Sequence, residues 1–309
     1  MANLMTTFYI TYEYWFAVFQ LVTAMFGMGA TLTVKDFTEV IKEPKPVSIG
    51  TAIQLLLVPL TAYLFIYAFG IVGGVAVGLV IIAAIPGGTS SNMFTFFAHG
   101  NIVLSIAITA ITTLICLIST PFIMDLLISE YMTASFVMPT GQIFREIMFT
   151  LLCPLFLGML LLKYLPKQAP LISAWCIRAS ILGIAMIVIG SSMAGRLDVE
   201  AFGFTNVVIV CCFIFTLRFS AWLVSKLANL SAADRTAIEM EVVVRNVNLG
   251  FLTKVSIFPA VIGQIDPIGN MVLFTLLLYG GIQLFIGGAI IFIRRRRAGQ
   301  HSVINEELL

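Results

Sequence analysis

Charged residues and histidine are scarce in this sequence. Of its 309 residues only 10% are charged and two are histidine, whereas 60% are hydrophobic and the mean hydropathy is +1.06. A soluble domain of this length is about one quarter charged, because its surface has to be solvated. The low charge therefore excludes a soluble globular protein and indicates a chain whose solvent is a lipid bilayer.

Reactive and metal-binding patterns are also missing. The two histidines, His99 and His301, are far apart, so the sequence has neither a His-Glu-x-x-His site nor a histidine cluster. The cysteines show no Cys-x-x-Cys or Cys/His ligand spacing, and we interpret them as small packing residues. These absences argue against an enzyme, including an intramembrane one, and no cofactor is expected. The five cysteines lie at positions 116, 153, 176, 211 and 212.

Long apolar runs take up most of the chain. Crossing about 30 Å of hydrocarbon takes roughly 20 residues of helix, and nine runs of that order are separated by charges or turn signals. We predict an all-α integral membrane protein with nine transmembrane helices in one domain, residues 1–309. Its tail, 294–309, should be disordered over the last five residues. The predicted spans are approximately 11–33, 45–69, 72–98, 101–127, 142–164, 170–194, 203–227, 232–257 and 267–293.

The distribution of lysine and arginine predicts an orientation, since cytoplasmic loops are enriched in both. With the N-terminus outside, most basic residues fall on the cytoplasmic side, including the run Arg294–Arg297, whereas Arg145, Arg196 and Lys254 fall near the other side. The arginine run directly follows a span, so we interpret it as a membrane anchor and not as a nucleic-acid site. We expect a multi-pass protein of the cell membrane with a cytoplasmic C-terminus.

Two segments break the apolar pattern at mid-span. In the third run, residues 86–92 read Pro-Gly-Gly-Thr-Ser-Ser-Asn, and the proline with its two glycines must interrupt the helical hydrogen bonds. In the eighth run, residues 239–250 contain two acids, an arginine and two asparagines. Ionisable groups at this depth are costly and face a cavity or a partner. For Glu239 we expect pairing with Arg218 rather than a proton relay.

A helix that breaks inside the membrane can form a binding site. Irregular backbone is tolerated at that depth only where it lines water or protein. The start of the second half-helix carries a positive dipole end that favours an anion, and the freed carbonyls and hydroxyls suit sodium. A kink used only for packing would explain residues 86–88 but not the hydroxyl and amide residues after them. The pattern is typical of a secondary transporter that carries an anion together with sodium.

The two polar segments are also related by position. Asn92 and Asn246 are 154 residues apart, about half of the chain, and Phe97 and Phe251 keep the same offset. Such an offset is expected of an inverted repeat whose halves meet near the bilayer midplane. The predicted repeats cover about 11–127 and 142–293, and the first lacks an opening helix.

Several motifs together are specific enough to indicate a family. The segment at residues 86–92 is followed by a Gly-Asn pair and then by a Ser-x-x-x-Thr pair. In this order the motifs resemble the bile acid/sodium symporter family, in its nine-span form. The resemblance covers most of the chain up to about residue 250, and it is carried by Phe26 to Gly29, Gln54, Pro86 to Asn92, Gly100, Asn101, Ser105 to Thr109, Glu241 and Asn246.

The resemblance implies two crossed, discontinuous helices in a core domain, a panel domain that moves against it, and sodium as the coupling ion behind the crossing. A Ser/Thr pair four residues apart shares a helix face, although alone it more often joins two helices. A buried acid would make the site favourable for a cation. By motif position the first sodium site would be Ser91, Asn92, Ser105, Thr109 and Glu241, and the second would involve Gln54, Glu241, Val242 and Val244.

One position departs from the family pattern. Sodium-coupled relatives carry glutamine four residues after the acid, where this chain has Arg245, a permanent donor that cannot ligate a cation. Glu241 and Arg245 have the spacing of a helical salt bridge. We predict that Arg245 takes the place of the second sodium, which leaves one sodium or none per cycle. Alternatively it faces the cavity and binds a substrate carboxylate.

The resemblance also implies a small organic anion as substrate. Thr89 and Asn246, at the starts of the half-helices, would contact it, with Arg245 as a third contact in the alternative above. Family substrates include bile acids, sulfated steroids, pantoate and keto acids, whose charge would suit helix N-termini. Competing hypotheses are a sodium-independent or proton-coupled carrier, an arsenite carrier, which would want a cysteine at the broken helix, and a receptor, which would need a larger partner-binding module.

Overall fold

The structure, a computed structural model, describes residues 2–38, 44–132 and 136–307, and within this part of the chain all regular structure is helical. We number the main helices in chain order. They are α1 (Ala2–Gly29), α2 (Pro44–Phe69), α3 (Gly73–Ala84), α4 (Thr89–Phe97), α5 (Ile102–Ile128), α6 (Thr140–Tyr164), α7 (Ala169–Met193), α8 (Val199–Leu227), α9 (Ala232–Val243), α10 (Val247–Ile257) and α11 (Pro267–Glu307). Short helices at Val34–Thr38 and Ser129–Tyr131 lie in two connections.

Six helices of the described chain are long and apolar enough to cross a membrane, namely α2, α5, α6, α7, α8 and α11. Helices α3 and α10 are shorter apolar helices. Large hydrophobic side chains such as Leu56, Ile118 and Phe285 are exposed on the long helices, which suits contact with lipid. These features confirm an all-α membrane protein.

Helix α1 begins at Ala2, about nine residues before the predicted start of the first span. The prediction for the C-terminal tail was wrong. Helix α11 continues through Glu307, so residues 305–307 are helical and not disordered as predicted. The last two positions of that prediction, 308 and 309, lie outside the described residues.

Both predicted helix interruptions are present. Helix α3 ends at Ala84 and α4 begins at Thr89, and the residues between them include the proline that cannot continue the hydrogen-bond ladder. Helix α9 ends at Val243 and α10 begins at Val247. Each interruption therefore leaves the end of one half-helix and the start of another inside the protein.

The two interruptions bind each other through their backbones. The amide of Gly88 donates to the carbonyl of Val244 at 2.8 Å, and the amide of Asn246 donates to the carbonyl of Pro86 at 2.9 Å. These bonds satisfy polar groups that the broken helices would otherwise leave unpaired at membrane depth, where each would cost several kcal/mol. The interruptions therefore form one joint structure.

The positions of the two interruptions change the residue offset that relates the two predicted repeats. The residues that precede the second half-helices are Gly88 and Asn246, which are 158 residues apart. Asn92 is the fourth residue of α4, whereas Asn246 directly precedes α10, so their 154-residue offset does not relate equivalent positions.

Some helices pack around this junction and others lie beside it. Helix α1 packs mainly along α6 and α7, whereas α3 packs on α5 and α11, and α9 packs on α4, α5 and α8. Helix α1 also contacts α10, the half-helix that leaves the second interruption. The contact between α1 and α10 is therefore one place where the helices around the junction meet the three helices beside them, and α6 also packs on α5.

Glycine is required where the two interruptions meet. A Cβ on Gly88 would lie 2.9 Å from the carbonyl oxygen of Arg245, and one on Gly87 would meet the carboxylate of Glu241. Gly88 has a φ of −93°, which any residue can adopt, so its requirement is for space. A side chain there would push the two backbones apart.

We predict that Gly88→Ala lowers the midpoint of thermal unfolding in detergent by several degrees, because the added methyl group breaks the paired interruptions. Gly288→Ala is the matched control, since a Cβ there has nothing within 4 Å and lies in the interior of α11. In a helix this change gains up to about 1 kcal/mol. Equal midpoints for the two variants would contradict the role given to Gly88.

Candidate ion and anion site

A buried carboxylate lies beside the paired interruptions. Glu241 is completely buried, and its Oε1 accepts hydrogen bonds from Ser91 Oγ at 2.5 Å and Ser105 Oγ at 2.6 Å. Its Oε2 accepts from Thr109 Oγ1 at 2.8 Å and from Gln54 Nε2 at 3.3 Å. Four donors therefore surround one carboxylate, the kind of arrangement that a buried anion requires.

The same place holds more oxygen acceptors than protons. Asn92 Oδ1 lies 2.8 Å from Ser105 Oγ and 3.3 Å from Thr109 Oγ1, so each of these hydroxyls faces both the amide and Glu241. A hydroxyl has a single proton to donate. We call the side-chain oxygens of these residues the oxygen cluster; its members lie within hydrogen-bond distance of one another, and oxygen is the ligand that a hard cation prefers. The cluster consists of Ser91, Asn92, Ser105, Thr109 and Glu241.

Three helices position the oxygen cluster. Ser91 and Asn92 lie in the first turn of α4, directly after the break, and Glu241 lies in the last turn of α9. Ser105 and Thr109 are one turn apart on α5, so both hydroxyls point the same way. The structure thus brings together all five residues predicted for the first sodium site.

Arg245 occupies the end of α3. Its guanidinium donates to the carbonyls of Ile82 at 3.1 Å and Ala83 at 3.0 Å, and also to the carbonyl of Ile85. A fourth bond, from Nη1 to Gln54 Oε1, measures 2.6 Å. Carbonyls at a helix C-terminus carry the negative end of the helix dipole, so a cation is held where the broken helix leaves negative potential.

The predicted helical salt bridge between Glu241 and Arg245 was wrong. Helix α9 ends at Val243, so the two residues do not lie on successive turns of one helix, and they form no direct ion pair. Gln54 lies between them, accepting from Arg245 and donating to Glu241. Gln54 belongs to a wide π-helical turn, Ile53–Leu57, a feature that often marks functional positions.

Two of the oxygens predicted for a second sodium have protein partners. The amide oxygen of Gln54 accepts from Arg245, and the carbonyl of Val244 accepts from the backbone amide of Gly88. Val242 is fully buried and lies near the end of α9. The guanidinium and the first interruption therefore each engage one of the predicted ligands.

A cavity of about 800 Å³ opens beside the junction. The starts of both half-helices border it, through Gly88 and Ser90 on one and through Asn246 and Asn248 on the other. Asn92 borders it as well and connects it to the oxygen cluster. Its remaining walls come from α1, α5, α7 and α11, including Ala24, Gly27, Ile106, Ile177, Ile184 and Leu277.

The predicted substrate residues differ in their placement. Asn246 borders the cavity, caps α10 by accepting from the amide of Leu249 at 3.4 Å, and is 6% exposed. Arg245 borders the cavity too, but four of its hydrogen bonds go to protein oxygens. The backbone of Thr89 starts α4, while its side chain lies outside the described part of the structure.

Sequence reasoning missed some polar residues of the site. Gln283 on α11 accepts from the backbone amide of Arg245 at 2.9 Å, and Thr95 donates to Ser105 Oγ at 3.2 Å. Both are polar residues inside apolar runs, and this sequence feature could have identified them as candidates. The expected pairing of Glu239 with Arg218 is confirmed at 3.3 Å, and Arg294 joins it at 3.2 Å.

Comparison with known sequences identifies the family. Residues 18–201 match the sodium bile acid symporter family. The chain belongs to this family. Members of this family are transporters, so the chain is a multi-pass membrane transporter and not an enzyme.

Relatives include proteins named as sodium-dependent. An uncharacterized sodium-dependent transporter of Bacillus subtilis (strain 168), YocS, is 31% identical over 73% of this chain and 69% of its own. The probable sodium/metabolite cotransporter BASS1, chloroplastic, of Arabidopsis thaliana is 28% identical over 74% and 56%. The ileal sodium/bile acid cotransporter of Homo sapiens is 30% identical over 55% and 49%. The matches thus span only about half the length of the plant and human relatives.

We predict that Gln54→Met destabilises the protein by about 1–3 kcal/mol, because it leaves a buried guanidinium donor and a carboxylate oxygen without their shared partner. Gln142→Met is the control, since it makes the same chemical change at an exposed residue that bonds Glu146. Its effect should stay within about 0.5 kcal/mol. Thermal unfolding of both purified variants measures the difference, and a harmless Gln54→Met would refute the bridging role.

Proposed function

We propose that this protein carries a small organic anion across the membrane together with one sodium ion per cycle. The observation that carries the proposal is the oxygen cluster around Glu241, which touches the cavity through Asn92. A cation bound there would sit directly behind the place where two half-helix N-termini meet the cavity. The two ligands would then stabilise the same arrangement of the junction, which is the physical basis of coupling.

The sodium site in this proposal consists of the five residues Ser91, Asn92, Ser105, Thr109 and Glu241. Their oxygens are within hydrogen-bond distance of one another, and the hydroxyls have too few protons to satisfy every acceptor. A sodium ion would supply the missing positive charge. The sodium dependence in the names of relatives supports the choice of ion.

Arg245 takes the place of a second sodium in this proposal. Its charge lies among the C-terminal carbonyls of α3, and the oxygens of Gln54 and Val244 are engaged in hydrogen bonds. A second cation at Gln54, Val242 and Val244 would be repelled by the guanidinium. The same bonds weigh against direct substrate binding by Arg245, because the guanidinium has five N–H donors and the protein uses four.

The substrate is an anion with a partly apolar body. The cavity of about 800 Å³ falls within the usual range for small molecules, and isoleucines of α5 and α7 line part of it. Thr89 and Asn246 would hold the anionic group, because both belong to the starts of half-helices, where the dipole is positive. Bile acids, named for the ileal relative, are of this class.

For the topology we propose nine membrane crossings. They are α1, the six long apolar helices, and two crossings that are each made by an interrupted pair, α3 with α4 and α9 with α10. The interrupted pairs would cross as the centres of two inverted repeats, a core domain would hold them, and α1, α6 and α7 would form the panel. The helix packing supports this division. The N-terminus would lie outside and the C-terminus in the cytoplasm, as the basic residues suggest.

One observation favours a second candidate, a sodium-independent or proton-coupled carrier. Arg245 already offsets the charge of Glu241 through Gln54. The junction could then be neutral without an added cation, and the same anion would be carried without sodium. The following experiment separates the two.

We predict that reconstituted protein takes up at least one of 2-oxo acids, pantoate and taurocholate faster with an inward sodium gradient than with potassium. Glu241→Gln should reduce the sodium-driven rate at least about tenfold, since it removes the only charge of the cation site. Glu239→Gln is the matched control, because Glu239 is equally buried but is held by Arg218 and Arg294 away from the cluster.

Uptake that is equal in sodium and potassium would contradict the proposed coupling and would favour the sodium-independent carrier. Equal losses in Glu241→Gln and Glu239→Gln would mean that the carboxylates act only in folding. Folding of each variant is checked by its thermal unfolding midpoint before reconstitution.

We predict a separate outcome for Arg245→Gln. Transport should survive, and its dependence on sodium concentration should become steeper, with a Hill coefficient rising from about 1 to about 2. The reason is that the variant removes the resident charge and leaves oxygens that a second sodium can use. Complete loss of substrate binding in a folded Arg245→Gln protein would instead favour direct contact between the guanidinium and the substrate.

A further inference from the structure

The wall of the cavity continues into a closed contact along α1. Ala24 and Gly27 border the cavity, and Gln20, Ala17 and Glu13 follow at spacings of three or four residues in the direction of the N-terminus. Residues at such spacings lie on one face of a helix. The three are 0–2% exposed. One face of α1 thus lines the cavity at one end and is sealed at the other.

Helix α10 shows the same continuation. Asn248 and Phe251 border the cavity, and Lys254 is next on that side, fully buried. The two helices meet through polar groups, since Gln20 Nε2 donates to the carbonyl of Asn248 at 2.8 Å and Lys254 Nζ lies 3.2 Å from Glu13 Oε1. The sealed contact therefore extends the path that the cavity begins.

Two cations and one carboxylate meet in the sealed contact. Arg196 Nη1 lies 2.6 Å from the same Glu13 Oε1 that binds Lys254, while Glu13 Oε2 has no partner. Two cations thus share one carboxylate oxygen. Arg196 is further fixed by Asn270 at 2.8 Å.

Neighbouring elements do not add a second ion pair to Lys254. Asp266, before α11, accepts from the amide of Gly269 at 2.9 Å, and Glu146 of α6 accepts from Ser256 on α10. The described part of the chain gives Lys254 only Glu13 as an ion-pair partner. Asp266 contributes a negative charge near Lys254 without forming an ion pair with it. Within ion-pair distance, two cations therefore share one carboxylate, so a further carboxylate would be stabilised beside them.

We propose that Lys254 and Arg196 form a second binding site for the carboxylate of the transported anion, at the closed end of the same path, and that Glu13 fills this site while that end is closed. The inference rests on the proposed function. Opening this end has to move α1 away from α10, which removes Glu13 from Lys254. A substrate carboxylate then binds the two cations. Because it can bind them only after Glu13 has left, the anion shifts the equilibrium toward the open arrangement.

The test follows the opening of the sealed contact, with benzoate as the probe anion. Ala17→Cys places a thiol between Glu13 and Gln20, where it is buried while the contact is closed. Its alkylation by a membrane-impermeant maleimide is quantified at position 17 by peptide mass spectrometry, so the native cysteines remain. The assay uses full-length protein in potassium buffers, with benzamide as the neutral control of the same size.

We expect potassium benzoate to accelerate alkylation of Ala17→Cys at least about threefold, and benzamide to leave it unchanged. In the Ala17→Cys background, Lys254→Gln should abolish the response and Lys254→Arg should keep it. Glu13→Gln should raise the rate without benzoate, whereas Glu239→Gln, the same change at another buried carboxylate with two cations, should not. The double variant Glu13→Gln with Lys254→Gln tests whether the protein still folds when both charges are absent.

A benzoate response that survives Lys254→Gln, or an Ala17→Cys protein indifferent to benzoate, would overturn the second site. Faster alkylation in Glu13→Gln without any response to benzoate would show a purely structural contact and would overturn it too. The assay contains no sodium. A normal benzoate response alongside sodium-independent uptake would therefore refute the proposed coupling and leave this site standing.

Discussion

The carboxylate of Glu241 is the interaction on which the centre of the structure depends. It lies completely buried in the last turn of a half-helix, and hydroxyls of two other helices converge on it. Without those donors the charge would be too costly at this depth. The same donors leave oxygens in excess of protons, so the groups that stabilise the acid also prepare a cation site. In the proposed function, folding and ion binding therefore depend on one set of atoms.

Gln54 and Arg245 extend this set to the other side of the junction. The glutamine amide joins acid and guanidinium, and the guanidinium covers the carbonyl end of α3. The C-terminus of α3 therefore receives a cation, and the positive N-termini of α4 and α10 are left for the cavity. A fixed arginine can provide this compensation permanently, whereas a transported sodium provides it only in part of the cycle.

Much of this centre was predictable because the residues break an apolar pattern. Proline and glycine at positions 86–88 predict the first interruption, and the family resemblance predicts which oxygens gather at Glu241. The helical salt bridge failed because spacing assumes an unbroken helix, and the exact end of α9 is set by backbone bonds to Pro86 and Gly88. The pairing of Glu13 with Lys254 was missed because it joins residues 241 positions apart, which charge patterns along the chain do not reveal.

We propose that the oxygen cluster binds one sodium ion and that Arg245 fills the place of a second. Equilibrium binding of radioactive sodium to the purified protein measures this stoichiometry without knowledge of the transported anion. We expect one saturable sodium per chain, displaced by unlabelled sodium but not by potassium. Two sodium ions per chain, or none at concentrations that saturate transport, would contradict it.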